Sequence, residues 1–186
     1  MTQVSDFFSR WRVRAGYPLA ILFLYLASPT LRWIAVGAAI AAAGLVVRGG
    51  AAGHLRKLET LTTTGPYAWM RNPLYFGSAL IAAGFAVAGH SPWAALVIVA
   101  YFVAFYPAVM KKEEAELRER YGAAFIEYAK RVPLFFPFPL RRSSSYEGSS
   151  SEGFSWSRYM KNREYQAALG AILALAVLWV RMFLPR

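Results

Sequence analysis

Apolar residues fall in five blocks, at about residues 17–28, 31–47, 74–88, 93–110 and 167–182, parted by segments rich in proline, glycine or charge. None shows the period-two alternation of a half-buried strand, so each reads as a helix in an apolar environment. A bilayer core takes about 20 apolar residues in a helix. The first block is short for that and spans by borrowing residues 7–15 or by tilting. The second is rich in small residues (Ala38, Ala39, Ala41, Ala42, Ala43 and Gly44), which let helices approach closely in lipid. Gly89-His90-Ser91-Pro92 joins the third and fourth as a helical hairpin. After the fourth block, Leu117, Tyr121, Phe125 and Tyr128 recur at three- and four-residue intervals. That spacing predicts an amphipathic helix or helix pair over 111–132, with a break at Tyr121-Gly122 and a stop at Pro133.

The predicted fold class is therefore an all-α integral membrane protein with about five transmembrane helices. Residues 1–54 form the N-terminal membrane helices, and 55–140 a core with the hairpin and the amphipathic helix. Residues 141–165 form a serine-rich linker and interfacial segment, and 166–186 a last membrane helix. Leu134-Phe135-Phe136-Pro137-Phe138-Pro139 reads as an extended apolar run at the membrane surface. Phe154, Trp156 and Tyr159 with Arg158, Lys161 and Arg163 read as a second interfacial helix.

Composition agrees. Of 186 residues, 57% are hydrophobic, and the mean hydropathy is +0.33, more apolar than an ordinary soluble domain. The absence of cysteine excludes disulfides, thiolate metal sites and cysteine nucleophiles. No cleavable signal peptide is read in the first residues. The net charge of +11 would suggest nucleic acid in a soluble chain. Here the cations flank apolar blocks, so membrane topology and anionic headgroups explain them and no nucleic-acid partner is expected. With five spans, eighteen Lys and Arg fall on one side and three on the other. The positive-inside rule then sets the N-terminus and both long loops in the cytoplasm, in an inner membrane of bacterial type.

Candidate chemistry lies on that side. The stretch 64–77 is bracketed by Gly65-Pro66, which cannot continue a helix, and by Pro73, which pushes Asn72 toward extended backbone. Between them stand Tyr67, Trp69 and Arg71, with Tyr75 just beyond. Lys111-Lys112-Glu113-Glu114 follows the fourth block, and Tyr121-Gly122, Phe125, Glu127, Tyr128 and Arg131 follow in turn. All can converge on one cavity.

The order Gly65-Pro66-Tyr67, Arg71-Asn72-Pro73-Leu74-Tyr75, then Glu113-Glu114, Leu117, Tyr121-Gly122, Tyr128 and Arg131-Val132-Pro133 resembles the isoprenylcysteine carboxyl methyltransferase family. The related phospholipid methyltransferases look similar over the same region, roughly 55–139. The resemblance implies a membrane enzyme that takes S-adenosylmethionine from the cytoplasm and methylates a membrane-embedded lipid or prenylcysteine-like carboxylate. It implies a cofactor wall of Tyr67, Arg71, Asn72, Pro73 and Tyr75, with Tyr128 opposite. Glu113, Glu114 and Arg131 would be the catalytic groups. The pocket would be formed by spans three and four and the following amphipathic helix. Two positions depart from the family. Histidine usually stands where this chain has Asn72, which hydrogen-bonds but carries no proton. The lipidated-cysteine enzymes often carry arginine just before the acidic pair, where this chain has Val109 and Met110 ahead of its two lysines.

The residue types suit methyl transfer from a sulfonium. Aromatic faces and a carboxylate stabilise its positive charge, and positioning supplies much of the rate. Arginine pairs with carboxylate or phosphate in bidentate fashion. An amine acceptor would need a base, for which Glu113 or Glu114 is the candidate; a carboxylate acceptor needs none. Simpler readings stand beside these. Tyr67, Trp69 and Tyr75 also suit an interfacial aromatic belt. Glu116 and Glu119 suit a solvated face pairing with Lys112, Arg118 and Arg120. Arg71 and Arg131 also suit lipid phosphates, and His54 and His90 suit structural roles. Phospholipid amine N-methylation, a sterol-reductase-like NADPH enzyme and a non-catalytic lipid-binding protein are the competing functions.

Overall fold

A computed structural model describes residues 2–56, 59–136 and 153–184, with side chains from residue 14 onward. The chain forms α1 (Thr2–Leu26), α2 (Leu31–His54), a 3-10 turn (Gly65–Ala68), α3 (Pro73–Ala88), α4 (Pro92–Arg131), α5 (Trp156–Lys161) and α6 (Tyr165–Arg181). No strand occurs among the described residues. Pro137, Phe138, Pro139 and the linker up to residue 152 lie outside the described residues.

The five apolar blocks all fall on helices. The first does borrow its preceding residues, since α1 starts at Thr2 and runs through Pro18. The second continues past residue 47 to His54, because its last turns are packed from outside by α5. The fourth block runs without interruption into the amphipathic segment within α4, and two helical stretches then meet at a kink at Gly122, the break expected at Tyr121-Gly122. Gly122 stands at φ 50° and ψ −123°, a conformation that favours glycine.

Two of these helices, α2 and α4, are long and apolar enough to cross a membrane; the apolar parts of α1, α3 and α6 are shorter. Little of either long apolar stretch is buried within the protein. Ile21, Tyr25, Val46, Trp93, Val103 and Leu173 stand exposed, a surface that suits hydrocarbon and not water.

Glycine sets the tightest packing. A Cβ on Gly37 would lie 2.3 Å from the Gly84 carbonyl, and one on Gly44 would lie 2.6 Å from that of Gly77. α2 and α3 thus run antiparallel with backbones in contact at two points one heptad apart. Small residues in lipid produce this kind of approach. At one end of the bundle Phe23, Ala27, Ile34, Ala88, Ala94 and Leu178 close a core. There the amide of Ser28 donates to the Gly89 carbonyl, so the two short, cation-poor turns meet. At the other end, Phe125, Tyr128 and Val132 pack with Leu61, Leu117 and Tyr121. That second cluster floors the candidate site.

Candidate active site

The 3-10 turn forms because Pro66 supplies a fixed φ and lacks the amide that a first turn cannot bond. Gly65 opens it at φ 60°. The turn directs Tyr67 inward, where it is buried, and leaves Trp69 42% exposed at the surface. Pro73 then opens α3. Residues 71 and 72 are tied to the chain beyond α4. The Arg71 amide donates to the Pro133 carbonyl at 2.9 Å, and Asn72 Nδ2 donates to the Leu134 carbonyl at 3.1 Å. Pro133 and Leu134 therefore return to the segment that begins α3.

Between these elements lies a cavity of about 300 Å³, lined by the loop 55–62, the 3-10 turn, the start of α3 and the face of α4 from Glu113 to Tyr128. Two polar pairs cross it. Tyr75 Oη donates to Glu113 Oε1 at 2.5 Å. Arg71 Nη1 lies 2.7 Å from Glu114 Oε1, with both side chains largely buried. That ion pair lacks hydrogen-bond geometry at Oε1, and Arg71 Nε is buried with no hydrogen-bond partner. Buried polar atoms are normally satisfied, so this arginine–glutamate pair has bonding capacity that the protein itself does not fill.

Tyr128 is committed elsewhere. Its hydroxyl donates to the Tyr67 carbonyl at 2.7 Å, joining α4 to the 3-10 turn. Burial pushes the Tyr67 phenol far above its ordinary range, with Tyr128 and Glu113 adding to the shift. Burial does the same to Tyr128; Glu114 reinforces it and Arg71 opposes it. Burial thus disfavours the phenolate form of both side chains.

Of the nine residues named from the sequence, eight line this cavity: Tyr67, Arg71, Asn72, Pro73, Tyr75, Glu113, Glu114 and Tyr128. Arg131 is not among the residues that line it. It sits one helical turn from Glu127 and bonds it through Nη2 at 2.7 Å, with its side chain 51% exposed. A carboxylate one turn away at the water surface captures the guanidinium before it can reach inward. The same hydrogen bond holds the Glu127 carboxyl below its usual range. Asn72 lines the cavity, but its amide is spent on Leu134. Glu116 fits the solvated reading, at 63% exposure and 4.0 Å from Lys112.

The loop 55–62 was not anticipated as a wall. Leu55, Arg56, Thr60, Leu61 and Thr62 line the cavity. The hydroxyl-rich run Thr60 to Thr64 ahead of Gly65 was the only available signal, and it carries no periodicity. His54 is structural: its Nδ1 lies 2.7 Å from the Gly50 carbonyl. His90 stacks on Trp33 at 4.9 Å between ring centroids. Among the described residues, no three His, Cys, Asp or Glu side chains form a metal-holding group.

Helices with exposed apolar surfaces, two of them long and apolar enough to cross a membrane, and a charged, aromatic cavity at one end fit the class of membrane proteins. Residues 47–124, which carry most of that cavity, match the phospholipid methyltransferase family model. Over this core the chain is similar to that family, and isoprenylcysteine O-methyltransferases are among its relatives. It is 36% identical over 107 residues to the cobalt-zinc-cadmium resistance protein CzcN of Cupriavidus metallidurans, covering 58% of this chain and 47% of that one. It is 38% identical over 91 residues to the nickel-cobalt-cadmium resistance protein NccN of Alcaligenes xylosoxydans xylosoxydans, covering 48% and 42%. It is 29% identical over 119 residues to the protein-S-isoprenylcysteine O-methyltransferase of Mus musculus, covering 61% and 42%. The chain thus spans about half the length, or less, of these relatives. No solved structure matches it at a comparable level.

Proposed function

We propose that the chain is an S-adenosylmethionine-dependent methyltransferase acting at the membrane surface on a lipid or prenylcysteine-like carboxylate acceptor. The observation that carries this reading is the pair of contacts, Arg71 with Glu114 and Tyr75 with Glu113, across a cavity built from the family-matched segment. The cavity volume is at the lower end of what small-molecule sites occupy. Its lining suits the donor: Arg71 for a carboxylate, Glu114 for an ammonium, Tyr75 and Tyr121 for a sulfonium, and Leu61, Leu117 and Phe125 for an apolar base. When bound, the donor supplies an electrophilic methyl on sulfur. The protein's part is alignment and charge placement. Arg71 and Glu114 hold each other in register, and the Tyr75 hydroxyl fixes the Glu113 carboxylate toward the cavity. Water is excluded on the floor by Phe125 and Val132.

The acceptor is proposed to enter from the bilayer between α3 and α4. Phe76 of α3 stacks edge-on with Phe135 and Phe136, and Phe136 is 65% exposed, so an apolar wedge stands beside the site. An apolar cavity of about 410 Å³ between α1, α3, α4 and α6 reaches Tyr106, whose ring meets Tyr75 edge-on at 5.6 Å. Both features suit an acceptor that carries hydrocarbon. The site is proposed to face the cytoplasm of a bacterial inner membrane, as the cation distribution directs.

One observation favours a second acceptor class. Glu113 and Glu114 stand together at the cavity and would attract a protonated amine, and one of them could take its proton. Phospholipid amine N-methylation is that alternative. Purified protein in detergent is expected to bind S-adenosylmethionine or its demethylated product. Failure to bind either at millimolar concentration ends the methyltransferase reading, and preferential binding of a reduced nicotinamide replaces it with a reductase. Membranes incubated with methyl-labelled donor then separate the acceptors. Label released as volatile methanol by mild alkali marks an ester; label retained on the lipid marks an N-methyl group.

A further inference from the structure

The carbonyls at the C-terminus of a helix have no intrahelical donors. In α2 they are met from a segment more than one hundred residues away. Asn162 Nδ2 donates to the Ala52 carbonyl at 2.9 Å and to that of Leu55 at 3.3 Å. Arg158 Nε donates to the Gly53 carbonyl at 2.8 Å, and so does the Ser155 amide at 3.0 Å. Phe154 lies directly over Gly53, where no Cβ would fit. Its ring meets that of His54 edge-on, and His54 in turn fills the space beside Gly65. Lys161 reaches Glu59 at 3.1 Å. Residues 153–162 thus grip both rims of the cavity: Leu55 and the loop after it, and the glycine that opens the 3-10 turn bearing Tyr67. Below, Arg48 binds Glu164 Oε2 at 3.0 Å and Ser78 Oγ at 2.5 Å, holding this segment to α3.

We propose that α5 and its flanks, which lie outside the family-matched residues, are a brace that sets the shape of the donor cavity, with Asn162 as a positioning residue for donor binding. The reaction assigned to the cavity rests on the methyltransferase reading; the brace itself does not. Nothing in α5 lines the cavity, so its effect passes through Leu55 and Gly65 to the loop and the 3-10 turn.

The test compares wild type with Asn162→Leu, which keeps the branched shape and removes the donor. Hydrogen exchange on ligand-free protein is expected to speed up across residues 55–67 while residues 73–88 keep their protection. The KM for S-adenosylmethionine is expected to rise roughly fivefold, as the loss of one to two hydrogen bonds at a rim implies. kcat at saturating donor and the KM for the acceptor should stay within twofold. Asn162→Ser, which retains one hydroxyl donor, should fall between, and it serves as the test if the leucine variant is not recovered folded. Unchanged exchange across 55–67, or a KM shift shared equally by donor and acceptor, overturns the proposal. If wild type binds no S-adenosylmethionine yet exchange responds to Asn162, the methyltransferase reading fails and the brace stands.

Discussion

Arg71 and Glu114 meet across the cavity at 2.7 Å with both side chains largely buried, and this pair decides what the site can do. A buried ion pair left short of hydrogen bonds is costly unless a ligand completes it. If Glu114 acts on the acceptor, Glu114→Gln should lower kcat by about 10²-fold, the lower range for a positioned acid or base, and change donor affinity only a few-fold. Unchanged turnover would remove it from the mechanism. Arg131→Gln should leave donor affinity as it is, because that guanidinium is occupied by Glu127 at the water surface; a large loss would return Arg131 to the site. The buried phenols make a separate prediction. Tyr67 and Tyr128 have folded pKa values raised by burial, so above pH about 10 the unfolded chain binds fewer protons than the folded one. Stability contributed by these groups is fully present below that pH and is lost as pH rises through the folded values. Tyr128→Phe should cost about 1 kcal/mol at neutral pH through the lost bond to the Tyr67 carbonyl. It should also make the alkaline fall less steep. Thermal melts in detergent across pH 7 to about 11 read both effects.

At the scale of elements, the α2–α3 contact bears most on the position of the site, because α3 carries Tyr75 and starts at Pro73. Gly44→Val would drive its side chain into the Gly77 carbonyl and Ile81. It should destabilise by about 1–3 kcal/mol, the usual cost of overpacking, whereas Gly170→Ala, with nothing within 4 Å, should be neutral or slightly stabilising. Equal melting temperatures for the two variants would contradict the close approach. The helices themselves were legible in the sequence because their signals are local: continuous apolar blocks, prolines at residues 66, 73, 92 and 133, and a glycine at 122 where α4 breaks. That eight of the nine candidate residues line one cavity follows from a related cause, since ordered motifs on either side of a short hairpin must face each other. What was not legible is non-local or unpatterned. Asn162 reaches Ala52 across 110 residues, and no spacing rule links them. The wall at 55–62 is a loop that mixes leucine, charged residues and threonine, with no motif that marks it as part of a site. Arg131 stands outside the cavity lining, paired with Glu127 one helical turn away, and the sequence alone does not say which of the two places its side chain takes.

At the scale of the whole molecule, the site and the charge distribution point the same way. The short turns around Thr30 and His90 meet at one end, where Ser28 bonds Gly89; the cavity, α5 and the basic segments of α4 lie at the other. If the positive-inside rule holds here, the cavity end faces the cytoplasm, where a water-soluble charged donor is available, and the far end faces out. The natural absence of cysteine makes this directly measurable. Thr30→Cys and Lys130→Cys replace exposed residues at the two ends. In intact cells a membrane-impermeant maleimide should label the cysteine at 30 and reach the one at 130 only after permeabilisation. The reverse pattern would put the Arg71–Glu114 cavity on the outer face, away from a cytoplasmic donor, and the methyltransferase proposal would fall even with every contact in the site intact. Labelling of both positions in intact cells would instead rule out an odd number of spans between them and with it the five-span arrangement.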